Sequence, residues 1–182
     1  MKYTDRQISN LLKSIYEGSI TVSKLPTDLY KAIGNHLRDG VYKGFGGTLN
    51  SFSFDTPDYE LLSELRNNTY MFSAAKTYQQ VREMSSLAAT AGTFKDFKEA
   101  AMSTYKRYNE DWLKAEYNTA INQAFNAKKW NDIEATKETF PYLRYSAVMD
   151  KNTSDICRPL DGITLPVDSI MWRKYAPLNH FN

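Results

Sequence analysis

The chain has 182 residues, enough for one domain or one domain with an extension, and enough to bury a sizeable core. Its 23 basic and 21 acidic side chains give a net charge of +2, and the densest basic pairs, Lys106-Arg107 and Lys128-Lys129, have acidic neighbours. Tight electrostatic DNA binding, which needs a concentrated basic face, is therefore not expected.

Hydrophobic residues make up 42% of the chain, yet no apolar run approaches the ~18–20 residues that span a bilayer. The opening Met1-Lys-Tyr-Thr-Asp-Arg lacks the apolar stretch of a signal peptide, so the chain is expected to be used in the cytoplasm of its host. A single cysteine, Cys157, leaves no internal disulfide. Aromatic residues reach 14%, which suits contacts with partner subunits as well as a core.

The fold class expected is α+β, mainly α: short N-terminal helices, a long antiparallel helical hairpin and a small C-terminal β-hairpin module. The zones are drawn at 1–55, 56–140 and 141–182. In the first, Thr4 and Asp5 can cap a helix that runs to Glu17 and ends at Gly18. Pro26 opens a second helix with Leu29, Ile33 and Leu37 on one stripe, ending near Gly40. Gly44-Phe-Gly-Gly47 and Ser51-Phe-Ser-Phe54 read as an irregular loop or arm. The glycines there lack the Lys-Ser/Thr of a phosphate loop. His36 shows no nearby partner in the sequence and attracts no functional reading.

In the second zone Thr56 and Pro57 offer a helix start. Leu61, Leu65, Phe72, Ala75, Tyr78, Val81, Met84, Ala88 and Ala91 recur at helical spacing and predict the buried stripe of the first arm. Gly92 interrupts, Thr93 can cap with Asp96 at the third helical position, and a stripe from Phe94 through Phe97, Ala101, Tyr105, Tyr108, Trp112, Ala115, Ile121 and Phe125 leads towards Trp130. Trp112 and Trp130 are expected to pack between the arms. A connection this short makes the two arms an antiparallel hairpin, each ~45 Å long at 1.5 Å per residue.

The third zone changes period. Residues 142–149 alternate as a strand does and end in the polar turn Asp150-Lys-Asn-Thr153. Ser154 can cap a helical turn carrying Cys157 and Leu160. Asp161-Gly162 is a tight-turn pair before a second strand at 163–165, and Asp168-Ser169 precede a short helix with Met171, Trp172 and Tyr175 that Pro177 stops. Trp172, Pro177 and Phe181 are read as packing that pins the C-terminal segment.

Two constellations in this zone bear on chemistry. Cys157 and His180 are candidate metal ligands or a thiol–imidazole pair, but two ligands are fewer than the four of a structural zinc site. Asp150 and Asp161 would be a carboxylate pair for acid–base work. Their places give them structural jobs instead: Asp150 opens a turn whose later amides its side chain can accept, and Asp161 precedes Gly162 in another turn.

The order Asp150, Thr153, Ser154, Cys157, Leu160, Asp161, Gly162, Pro166, Trp172, Pro177, His180, Asn182 resembles the C-terminal signature of the phage Mu F-like minor head, or head morphogenesis, proteins. The resemblance is dense over 142–182 and looser over 72–130, where Tyr117-Asn-Thr-Ala and Ala127 to Trp130 also look like the family. In the family the pattern usually continues with Cys-Arg and often another Cys. With such a tail beyond Asn182, Cys157 and His180 would look like part of a zinc knot; on the residues given, no cofactor is expected.

The resemblance implies a structural protein of a tailed phage or prophage, acting without catalysis by binding near the portal in capsid assembly. Portal, capsid or scaffold proteins would be its partners, and contact with packaged DNA would be weak or indirect. It would pass from the host cytoplasm into the virion head. The alternative is a hydrolase or processing enzyme that uses Cys157 and His180, with or without a metal.

Overall fold

A computed structural model of the chain describes residues 3–176 and consists of helices with one small sheet. It contains α1 (Asp5–Tyr16), α2 (Thr27–Phe45), α3 (Tyr59–Thr90), α4 (Phe94–Lys106), α5 (Trp112–Thr136), β1 (Tyr142–Arg144), β2 (Thr164–Pro166) and α6 (Ile170–Tyr175). Two compact units result, Met1–Ala124 and Phe125–Asn182, the division falling within α5. That division differs from zones drawn at 55 and 140, because α1 and α2 share their core with α3 and α4.

Local signals act where the sequence places them. The Thr4 hydroxyl accepts the Gln7 N–H at 3.3 Å while the Gln7 side chain accepts the Thr4 N–H at 2.9 Å, a capping box that starts α1. Gly18, just past the end of α1, has φ +74°, the left-handed conformation that glycine adopts without Cβ strain. Thr93 caps α4 by accepting the Asp96 N–H at 3.2 Å. The arms of the hairpin are antiparallel: Lys76 meets Glu116, Gln80 meets Asn109 and Glu83 meets Arg107.

Several expectations are corrected. The second helix does not end near Gly40; α2 continues through Gly44 to Phe45 and ends at Gly46, φ +100°. Gly40 and Gly44 are approach points for α5, not breakers. A Cβ at Gly44 would lie 2.1 Å from the Ile121 carbonyl oxygen, and one at Gly40 would lie 3.0 Å from the Tyr117 ring. His36, one turn earlier, does have a partner, stacking on Tyr117 with ring centroids 4.6 Å apart. Burial there lowers its pKa.

The start of α3 also moves. Thr56 does not cap it but accepts the Ser53 N–H at 2.9 Å, and the helix begins at Tyr59 after Asp58 at φ +63°. The second arm is not one uninterrupted helix, since a π turn over Arg107–Asp111 separates α4 from α5. Trp112 is not packed between the arms; it is half exposed and lies against Tyr108 and the Arg107 guanidinium. Phe125 is exposed as well.

The largest correction concerns which side of α3 faces inward. Its buried residues are Leu62, Thr69, Ser73, Lys76, Thr77, Gln80, Val81 and Met84, so the middle of the buried face is polar. Phe72, Ala75 and Tyr78, expected in the core, face outward. The polar stretch lies between two apolar clusters. One joins Leu12, Leu29, Ile33, Met84, Phe97 and Leu113; the other joins Val41, Phe45, Leu62, Ala120 and Ala124.

Within the polar stretch, Lys76 Nζ donates to both Glu116 carboxylate oxygens at 2.6 Å, and Asn109, in the π turn, donates to Gln80 Oε1 at 2.7 Å. Burial pulls the Lys76 pKa down, against the pull of Glu116. The π turn places Asn109 where its amide reaches across to α3.

Candidate functional site

The residues that carry the sequence signature lie in the second unit. There β1 and β2 pair antiparallel, with Tyr142 opposite Pro166, Leu143 opposite Leu165 and Arg144 opposite Thr164. The strand predicted over 142–149 is shorter than expected. Regular pairing ends with Tyr145, whose N–H donates to the Ile163 carbonyl at 2.8 Å and whose carbonyl accepts the Gly162 N–H at 2.9 Å. Beyond it the backbone turns away into the Asp150 turn.

That turn is built by side chains. Asp150 Oδ1 accepts the Asn152 N–H at 2.8 Å, and Thr153 Oγ1 accepts the Asp150 N–H at 2.8 Å while donating to the Val148 carbonyl. Arg158 Nη2 donates to the Thr153 carbonyl at 3.2 Å and to the Asp150 carbonyl at 3.4 Å, closing the loop from the other side. Ser154 Oγ accepts the Cys157 N–H at 3.1 Å across a turn, and the 3-10 segment Arg158–Leu160 follows directly after Cys157.

Asp161 Oδ1 accepts the Ala147 N–H at 2.9 Å, and Gly162 follows at φ +80°. Asp150 thus accepts a backbone hydrogen bond within its own turn, and Asp161 accepts one from the chain beyond β1. Ser169 caps α6, and Trp172 is buried with its indole Nε1 donating to the Pro166 carbonyl at 2.8 Å. Pro177, His180 and Asn182 lie outside the described residues.

Cys157 sits at one side of an open cleft of about 410 Å³ lined by Tyr145, Val148, Asp150, Thr153 and Ser154. The Tyr145 hydroxyl donates to its sulfur at 3.4 Å. Hydrogen bonds from Ser154 and Tyr145 pull the Cys157 thiol below its ordinary pKa, against a small opposing effect of burial. The reciprocal effect, led by the same hydrogen bond to the sulfur, pushes Tyr145 up to about 12. The arrangement favours the thiolate, the form that reacts with electrophiles and binds metals.

Among the described residues no group of three or more His, Cys, Asp or Glu side chains is placed to hold a metal ion. Of the candidate ligand pair, only Cys157 falls within them. No motif in the sequence marks out Tyr145 or Arg158. Strand alternation puts Tyr145 on the same face as Leu143, whereas the partners of Arg158 are backbone carbonyls brought near by the turn.

Comparison with curated proteins and with solved structures gives no match. Comparison with family profiles gives one that covers most of the chain: Phage Mu protein F like protein, over residues 60–182. The matched stretch takes in nearly all of α3 and everything after it, including the turns just described. The chain therefore belongs to the phage Mu F-like protein family and shares that family's general structural role in phage head morphogenesis.

Proposed function

We propose that this protein is a minor head component that works by binding, near the portal, during capsid assembly. The observation that carries this reading is the use made of the signature residues in the family-matched region. Asp150, Thr153, Ser154, Asp161 and Gly162 build turns, so the signature acts as a scaffold that holds a surface in shape. Portal, capsid or scaffold subunits are the partners this reading calls for. Contact with packaged DNA would be secondary, because a chain of net charge +2 lacks the field for tight phosphate binding. No helix among the described residues is long and apolar enough to cross a membrane.

Quantitative mass spectrometry of purified heads and of emptied particles tests the proposal. The expected result is a few to a few tens of copies per head; loss from emptied particles would add ejection with the DNA to the role. Absence from every particle would overturn it.

A second reading rests on one observation, the polarised Cys157 thiol at the cleft. In it the thiol serves a hydrolytic or processing activity, or binds zinc with His180 and further ligands. One equivalent of bound zinc together with an activity lost in Cys157→Ser would favour this reading. A metal-free protein whose folding and head incorporation are unchanged by that substitution would remove it.

A further inference from the structure

The outward face of α3 carries a pattern that neither its own core nor the head role explains. Glu64, Asn68, Met71, Ala75, Tyr78 and Arg82 are all exposed. They are spaced alternately by four and three, the spacing that keeps a stripe on one side of a helix and makes a packing seam between two helices. The stripe lies opposite the buried Ser73, Thr77 and Gln80. Its centre is apolar: Met71 is 72% exposed, Tyr78 38%, and the flanking Phe72 46%. Its ends are charged and opposite in sign. Among the described residues neither Glu64 nor Arg82 has an ion-pair partner.

We propose that this stripe is a self-complementary docking surface for a second copy of the same chain, its α3 running antiparallel. Placing a two-fold axis level with Ser73 sets Met71 against Ala75 of the second copy, Asn68 against Tyr78, and Glu64 against Arg82. Each contact then occurs twice, as an isologous interface requires. The pairing is chemically matched at every layer. The long methionine fits over the small alanine, which lets the helices approach to about 8–10 Å. The amide and the phenol can hydrogen-bond, and each arginine meets a carboxylate with Glu60 also within reach.

Parallel pairing would place Glu64 against Glu64 and Arg82 against Arg82, so charge selects the antiparallel arrangement. The two charged ends lie about 27 Å apart along the helix. A misregistered pair would therefore lose both ion pairs at once.

Sedimentation analysis of the full chain over a wide range of concentration tests the proposal, with circular dichroism confirming that each variant stays helical. The wild-type chain should dimerise reversibly. Arg82→Glu should weaken the dimer about tenfold, because each reversal removes two exposed ion pairs together. Combining it with Glu64→Arg should restore the dimer, and Ala75→Glu, at the apolar centre, should abolish it. A chain that stays monomeric at every concentration overturns the proposal. So does a dimer that ignores Ala75→Glu, or one that the paired charge swap fails to rescue.

Discussion

The two compact units of this chain are held together in different ways. In the first, stability comes from packing. Phe45, Phe97, Leu12, Leu29, Ile33 and Leu62 are among the largest fully buried side chains, and glycines let helices close to contact. In the second, Val167 and Trp172 alone are buried among the described residues, while Phe140, Tyr142, Val148, Met149, Ile156 and Ile170 are exposed. Side-chain hydrogen bonds to backbone do there what the core does in the first unit. A unit with little core is specified by its turns, and here Asp150, Thr153, Ser154, Asp161 and Gly162 make them.

Removing a large packed side chain from each unit gives the sharpest test of that contrast. Phe97→Ala should cost about 3–5 kcal/mol and show as loss of helical signal on denaturant titration. Trp172→Ala should cost a similar ~3–5 kcal/mol but act on the second unit, exposing new protease sites after residue 125 while the helical signal largely persists. A cleavage pattern unchanged by Trp172→Ala would argue that the turns alone hold that unit.

Gly44→Ala is next in size. The added methyl would meet the Ile121 backbone carbonyl rather than a movable side chain, so α2 and α5 must separate. A loss of about 3 kcal/mol, at the upper end for overpacking, is expected in thermal or denaturant unfolding. If the substitution proves neutral, the close approach does not constrain the first unit. In the second unit Thr153→Val removes one of the two acceptors of the Asp150 N–H, which also donates to the Val148 carbonyl, and the hydroxyl donor to that same carbonyl. These bonds are exposed, so about 0.5–1.5 kcal/mol is expected, and faster amide exchange at Asp150 should accompany it.

What could be read from the sequence follows the same division. Features made by hydrogen bonds within a few residues were legible: the Thr4 and Thr93 caps, the Asp150 turn, and the turns at Ser154 and at the left-handed Gly162. Features set by a third helix were not. Gly40 and Gly44 look like helix breakers until Tyr117 and Ile121 are placed against them. Along α3 the apolar periodicity was real but marked the wrong side in the middle. Lys76 and Gln80 are tolerated inside because Glu116 and Asn109 meet them there. No periodicity in α3 alone reveals those partners. In the site, Asp150 and Asp161 could be placed at turns from sequence alone, whereas the link from Tyr145 to Cys157 needed both turns to close.

The smallest predicted effect separates the two kinds of stabilisation most cleanly, because it compares one residue type in both units. Tyr3 in the first unit and Tyr145 in the second are both pushed up to about 12. For Tyr3 burial is the main cause, with Asp28 adding to it. For Tyr145 the hydrogen bond to the Cys157 sulfur comes first. An unfolded tyrosine loses its proton near pH 10, so above that pH the folded chain holds more protons than the unfolded one. Stability is therefore fully present below about pH 10 and is lost as pH rises towards about 12. Cys157→Ala should bring the Tyr145 midpoint down towards the ordinary range and leave that of Tyr3 in place, as residue-resolved titration by NMR can read. A Tyr145 midpoint that stays high without the sulfur would mean that burial governs the second unit too, and the distinction between a packed unit and a hydrogen-bonded one would have to be given up at this position.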